Sequence, residues 1–448
     1  MGREVSLRRP LIEIFSMVSG ILVGSIVGML PGIGPAMILL AITPLISHFD
    51  LVTLFIFYSC LISSRQYFGS VSAVVYGVAG EISSVPAAEN GHILFRQGKG
   101  AYALSTTSTA SLCASMWGIV LMMLTYSNID RMTWIYDIKI LMSIYLAVIV
   151  GMIVYTQKPL FSLVCMILGI ALGKLGFDSL FLVHILVPEY TMLDSGLPFY
   201  AMFSGLIIIP ALWRYLKSSP IASEGFAEWP PIAERIRTMF TLPCKASIVR
   251  GGIVGGFMGL VPGASYMLSS NVADRIESRF NSTRLSRLLA AESANNSAAI
   301  TVLLPLLLIG IPIVFSEGII LGIAETKGFG YTVSLEFVAE HVPLIALMLF
   351  IGNLVAWVSA GVFYSFAISL YNWAKRWIYH AIIGVVIVSV CYAGYTEHQV
   401  VLPLITFVIA SIIGMLIPWE DSKFVLIFGF FLSDSIVDNA YRFYVMYS

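Results

Sequence analysis

Gly251-Gly252-Ile253-Val254-Gly255-Gly256-Phe257-Met258-Gly259-Leu260-Val261-Pro262-Gly263 is the stretch whose reading decides the fold. Its pattern already stands near the N-terminus. Gly20, Gly24, Gly28 and Gly32, with Pro31 before the last, match Gly251, Gly255, Gly259 and Gly263, with Pro262 before the last, at one constant offset. Such a match predicts an internal repeat and two related halves. The glycines by themselves have a packing explanation, since small-xxx-small spacing lets helices approach closely in a membrane. The sequences that follow are different. Leu30-Pro31-Gly32-Ile33-Gly34-Pro35 and Val261-Pro262-Gly263-Ala264-Ser265 cannot continue a regular helix, because proline lacks a donor and glycine weakens the helix. Broken backbone at membrane depth survives only where it is buried in protein or lines a wet cavity. Paired interruptions at matching places in two halves point to a binding site near the midplane, with kinks that serve packing alone as the alternative.

Composition sets the solvent. The 448 residues are 58% hydrophobic and only 11% charged, with a mean hydropathy of +0.91. Soluble domains carry roughly 25% charged residues, so this is a membrane protein, and its length has room for roughly ten to twelve helical crossings. The 25 cationic and 25 anionic residues balance, so no basic face exists to collect phosphates and a nucleic-acid partner is excluded. Cys60, Cys113, Cys165, Cys244 and Cys391 form no C-x-x-C pair and read as packing residues. The six histidines show no ligand spacing, so no metal is assigned.

Apolar runs too long for the alternation of a barrel predict an all-α polytopic protein with broken helices or re-entrant hairpins. Residues 217–250, rich in proline and charge, form the one long polar linker, which divides a membrane repeat over 1–216 from a second over 251–448. Arg3, Arg8 and Arg9, the linker, and Arg275, Arg279, Arg284 and Arg287 are expected on the cytoplasmic side. The segment Gly251 to Val272 then enters and leaves on that side, a re-entrant hairpin turning at Pro262-Gly263, with Gly20 to Ile46 as its counterpart.

Three motifs carry a family resemblance: the break Leu30 to Ala36; Glu89-Asn90-Gly91-His92 continuing through Arg96 to Leu104; and Glu292-Ser293-Ala294-Asn295-Asn296-Ser297-Ala298-Ala299 with Pro305 and Ile309-Gly310-Ile311-Pro312. Together they resemble the large membrane subunit of the tripartite tricarboxylate transporters over nearly the whole chain. The resemblance implies a multi-pass secondary transporter of the bacterial inner membrane, working with a small four-helix membrane subunit and a periplasmic solute-binding protein. It also implies a small organic anion as substrate and a cation gradient as driving force. Tyr76-Gly77-Val78-Ala79-Gly80 lacks the family's proline, Ile313 replaces a glycine after Pro312, Ser265 replaces another after Pro262-Gly263, and Asn90 separates Glu89 from Gly91. These departures mark a divergent branch. A stand-alone carboxylate symporter and an anion channel are the alternatives. No nucleotide loop or hydrolase motif is present, and no enzyme is expected.

A carboxylate leaving water needs compensating donors, and each proline-glycine break starts a helix with free N–H groups and a partial positive charge. Pro31, Gly32, Gly34, Pro262, Gly263 and Ser265 are therefore candidate substrate-binding positions. Ser83, Ser84 and Ser316 lie just past the second pair of breaks, where hydroxyls bonding their own helix are the alternative. Asn295 and Asn296 offer oxygens to a sodium ion or NH2 groups to a carboxylate, with a polar helix cap as the alternative. Arg65 is placed to pair bidentately with a carboxylate or to anchor at the interface beside Tyr67. Glu81 and Glu317, acids in apolar surroundings, are the candidates for coupling to a sodium ion or a proton. No other cofactor is implied.

Overall fold

The computed structural model describes residues 2–30, 35–77, 82–128, 158–178, 183–185, 196–210, 228–241, 244–260, 265–309, 314–329, 331–374, 377–396 and 400–431, with scattered positions elsewhere. Its helices in chain order are α1 (Gly2–Met29), α2 (Pro35–Ile46), α3 (Leu51–Val71), α4 (Gly100–Tyr126), α5 (Pro159–Gly173), α6 (Ile232–Thr241), α7 (Lys245–Met258) and α8 (Ser265–Phe280). They continue as α9 (Arg284–Thr301), α10 (Leu303–Ile309), α11 (Phe315–Glu325), α12 (Tyr331–Ala374), α13 (Ile378–Thr396), α14 (Val401–Leu416) and α15 (Glu420–Phe431). The expected all-α membrane protein is what forms. One small exception among the described residues is an antiparallel ladder of β1 (Gly176–Asp178) and β2 (Val183–Ile185). Arg9–Met29, Leu51–Tyr76, Ala87–Tyr126 and Glu340–Leu370 are the four spans, among the described residues, long and apolar enough to cross a membrane. All five cysteines are free.

The chain forms two compact units, and each takes segments from both sides of the polar linker. The first holds Met1–Ile129 and Ser219–Ile378, the second Asp130–Ser218 and Tyr379–Ser448. In the second unit α5 lies along α15 so closely that a Cβ on Gly169 would meet the Leu426 carbonyl and one on Gly429 the Met166 carbonyl. Ser162 and Ser422 share a hydroxyl hydrogen bond of 2.9 Å in the same seam.

In the first unit the two glycine ladders do the same job. A Cβ at Gly20, Gly24 or Gly28 of α1 would meet the carbonyls of Phe57, Leu61 and Arg65 on α3. At Gly251, Gly255 or Gly259 of α7 it would meet those of Ala290, Ala294 and Ala298 on α9. Only glycine permits backbones to touch in this way. The partner helices start alike: Asp50 caps α3 by accepting from the Thr53 N–H at 3.0 Å, and Thr283 caps α9 by accepting from the Ser286 N–H at 3.3 Å. Caps and contact carbonyls recur at one constant offset, and Arg65 therefore stands at the position matched by Ala298.

Helix α1 ends at Met29 and α2 begins at Pro35. Helix α7 ends at Met258 and α8 begins at Ser265, packing back on α7 and α9. Two carboxylates fix α8: Glu277 receives Arg250 Nε at 2.8 Å, and Asp274 receives Arg287 Nε at 2.9 Å and the Asn90 amide at 3.1 Å. Helix α3 runs into a π-helical turn, Ser72–Tyr76, that stops at Gly77 with φ 64°, a left-handed conformation suited to glycine.

Part of the polar linker is an integral element. Helix α6 packs on α4, and Arg235, only 2% exposed, lies 4.2 Å over the Trp357 ring and 5.3 Å from that of Trp229. Its guanidinium donates to Ser108 Oγ at 3.1 Å and to the Trp357 carbonyl.

Candidate functional site

Helix α9 forms because its sequence is rich in alanine, and its alanine stripe Ala290, Ala294, Ala298 is what lets α7 approach. The opposite face, with Glu292, Asn295 and Asn296, is polar and yet buried, and Ser293 and Ser297 at its flanks are buried too, all five at most 1% exposed. Asn296 donates from Nδ2 to Ser111 Oγ of α4 and to the Glu292 carbonyl, both at 2.9 Å. This removes the capping alternative for the asparagines, since they lie mid-helix and Thr283 is the cap. It also commits the Asn296 NH2 group within the protein and leaves its oxygen over.

Arg65 is 1% exposed on α3 and Tyr67 2%, so neither is an interfacial anchor. Arg65 Nη1 donates to Gln66 Oε1 at 3.3 Å, and the same oxygen accepts from Ser83 Oγ at 3.3 Å. Ser83 thus bonds across to α3 from the short helix Ile82–Ser84, and Ser84 is buried beside it, with its Oγ facing Gly69. Tyr67 donates to the Ser108 carbonyl on α4.

Ser316 shares a 2.9 Å hydrogen bond with the Tyr58 hydroxyl, joining α11 to α3. Glu317 is fully buried, and its Oε2 accepts from the Val314 N–H at 3.2 Å, which caps the start of α11. Ser265 is the first residue of α8. Pro31, Gly32, Gly34, Glu81, Pro262 and Gly263 lie outside the described residues. The described candidates fall into three groups: Arg65 with Gln66, Ser83 and Ser84; the α9 amides with Glu292 and Ser111; and Ser316 with Glu317. Glu292, Gln66 and Ser111 are additions that the sequence reading did not single out. The signal for Glu292 was present, an acid inside a run of alanine and serine one turn before two asparagines.

The sequence profile of the tripartite tricarboxylate transporter TctA family matches residues 14–426. The chain belongs to that family. Membership agrees with the long apolar helices of this TctA-family protein. An uncharacterized 52.8 kDa protein of Agrobacterium vitis, described from the ttuC' 3' region of TAR-I, is 26% identical over 310 residues, 65% of this chain and 60% of the relative. The match therefore spans under two thirds of that relative's length. No solved structure matches the chain.

Proposed function

We propose that this protein is the membrane permease of a system that takes up a small organic anion of the di- or tricarboxylate class. Its partners are a small four-helix membrane subunit and a periplasmic solute-binding protein, its place is the inner membrane, and a cation gradient drives it. The family match across residues 14–426 is the observation that carries this reading. The two halves are read as repeats. Matched glycine ladders, matched caps at Asp50 and Thr283, and helix ends at Tyr76 and Ile309 support that. Arg65, buried on α3 beside Gln66 and Ser83, is the group with the right charge and fork geometry to receive a substrate carboxylate. The helix starts after Pro31-Gly32 and Pro262-Gly263 supply backbone donors from the two halves.

The test is uptake of a panel of radiolabelled di- and tricarboxylates by cells expressing the chain with its partner subunits. Gly32→Leu and Gly263→Leu are expected to abolish uptake while the protein still reaches the membrane. Wild-type uptake in both variants would remove the broken-helix site.

A further inference from the structure

The polar face of α9 carries more oxygen than the protein satisfies. Glu292, Asn295 and Asn296 stand at i, i+3 and i+4, which puts them on one helix face with the asparagine side chains lying back over the turn of Glu292. That face points away from the alanine stripe that meets α7. Each of the three residues is 1% exposed, and each holds an oxygen with no hydrogen-bond partner among the described residues: Glu292 Oε2, Asn295 Oδ1 and Asn296 Oδ1. The Ser293 hydroxyl also lacks a hydrogen-bond partner among the described residues. Asn296 has no better orientation to adopt, because turning its amide over would set its oxygen against the Glu292 carbonyl, which can only accept.

Two occupants relieve such a set, and they differ in how much they relieve. Protonating Glu292 creates one O–H donor, which serves one amide oxygen and leaves the other stranded. A sodium ion takes several oxygen ligands at once and neutralises the carboxylate in the same step. A divalent ion would call for more charge: no group of three His, Cys, Asp or Glu suited to a metal occurs among the described residues, and calcium sites rely on several carboxylates. We propose that Glu292, Asn295 and Asn296 form a sodium site on α9. Its role as the coupling site rests on the transport reading above; the binding of sodium does not.

The test uses the purified full chain in detergent at fixed pH, with its thermal midpoint followed as sodium chloride replaces choline chloride at constant ionic strength. The wild type is expected to gain stability saturably with sodium. Glu292→Gln and Asn295→Ala are expected to shift the half-saturating sodium concentration upward at least ten-fold, and Glu292→Asp is expected to retain a weakened response. Asn295→Ala changes no charge and decides the matter if the glutamine variant fails to elute as a single species. A sodium response unchanged in Asn295→Ala, or absent from the wild type, overturns the site. So does a midpoint that rises as pH falls without any dependence on sodium, which would assign Glu292 to a proton. Sodium stabilisation without anion uptake supports the site and removes the transport reading; uptake without sodium stabilisation does the reverse.

Discussion

Two residues that the sequence marks for function are given different work by their contacts. Glu317 is an acid in an apolar run, which is the usual mark of a functional group in a membrane. Its carboxylate bonds the Val314 N–H at the start of α11, so it already serves as the anion at that helix end. Glutamine can accept the same hydrogen bond. Glu317→Gln is therefore expected to keep uptake within about two-fold of wild type, while Glu317→Ala lowers stability by about 1 kcal/mol or more through the lost cap, read from thermal melts. Abolished coupling in the glutamine variant, with the melt unchanged, would return Glu317 to the coupling role. Arg65 is the opposite case, since burial removes its anchoring alternative and leaves a guanidinium beside polar side chains. Arg65→Lys keeps the charge and loses the fork, and its apparent KM for a dicarboxylate should rise about ten-fold, the loss of about 1.4 kcal/mol expected of a bidentate contact. An unchanged KM would take Arg65 out of the substrate site.

Elements in this protein are joined backbone to backbone, and the glycine ladders are the reason. Gly255→Leu drives a side chain into the Ala294 carbonyl of α9, and Gly24→Leu into the Leu61 carbonyl of α3. Backbone cannot yield as a flexible side chain does, so each variant is expected to lose about 3 kcal/mol or more, seen as a lower melting midpoint and less protein recovered. Gly318→Ala, where an added Cβ meets nothing within 4 Å, is the control expected to melt like the wild type. The caps are open to a pH test. Burial pushes the Asp50 carboxyl up, but the Thr53 N–H and hydroxyl, the Val52 N–H and the charge of Arg9 outweigh it, and the group sits below the usual carboxylate range. A lowered folded-state pKa means that this stabilisation is complete above the unfolded value of about 3.9 and is lost as the pH falls through the folded value. Asp50→Ala should accordingly melt below the wild type at pH 7, by about 0.5–1 kcal/mol, with the gap narrowing as the pH falls below the unfolded value. The ladders were legible because glycine spacing acts locally, whatever surrounds it. The unpaired oxygens of α9 were not, since spacing gives a shared face but says nothing of which donors reach it from α4.

At the scale of the whole molecule, the sequence reads as two halves in succession, whereas the compact units each combine segments from both sides of the linker. Linear order carries no mark of that exchange, because which helices pack together is set by tertiary contacts such as Arg235 under Trp357. The burial of Arg235 escaped notice for the same reason: among the many charges of the linker, only its place on the inner face of α6 distinguishes it. What sequence does govern is orientation. The bases near the N-terminus, in the linker and around Arg279 should share the cytoplasmic side. Arg237 and Arg279 are both exposed, so single cysteines there, in a background with the native cysteines replaced, will report it. Both are expected to resist a membrane-impermeant maleimide in intact cells and to react once the inner membrane is permeabilised. Since α7 and α8 both lie between those two positions and pack against each other, same-side labelling makes the segment between them a hairpin that turns back within the membrane. Labelling of position 279 alone in intact cells would make α7 and α8 a crossing pair, and the break at Pro262-Gly263 would lose the symmetry that makes it half of a binding site.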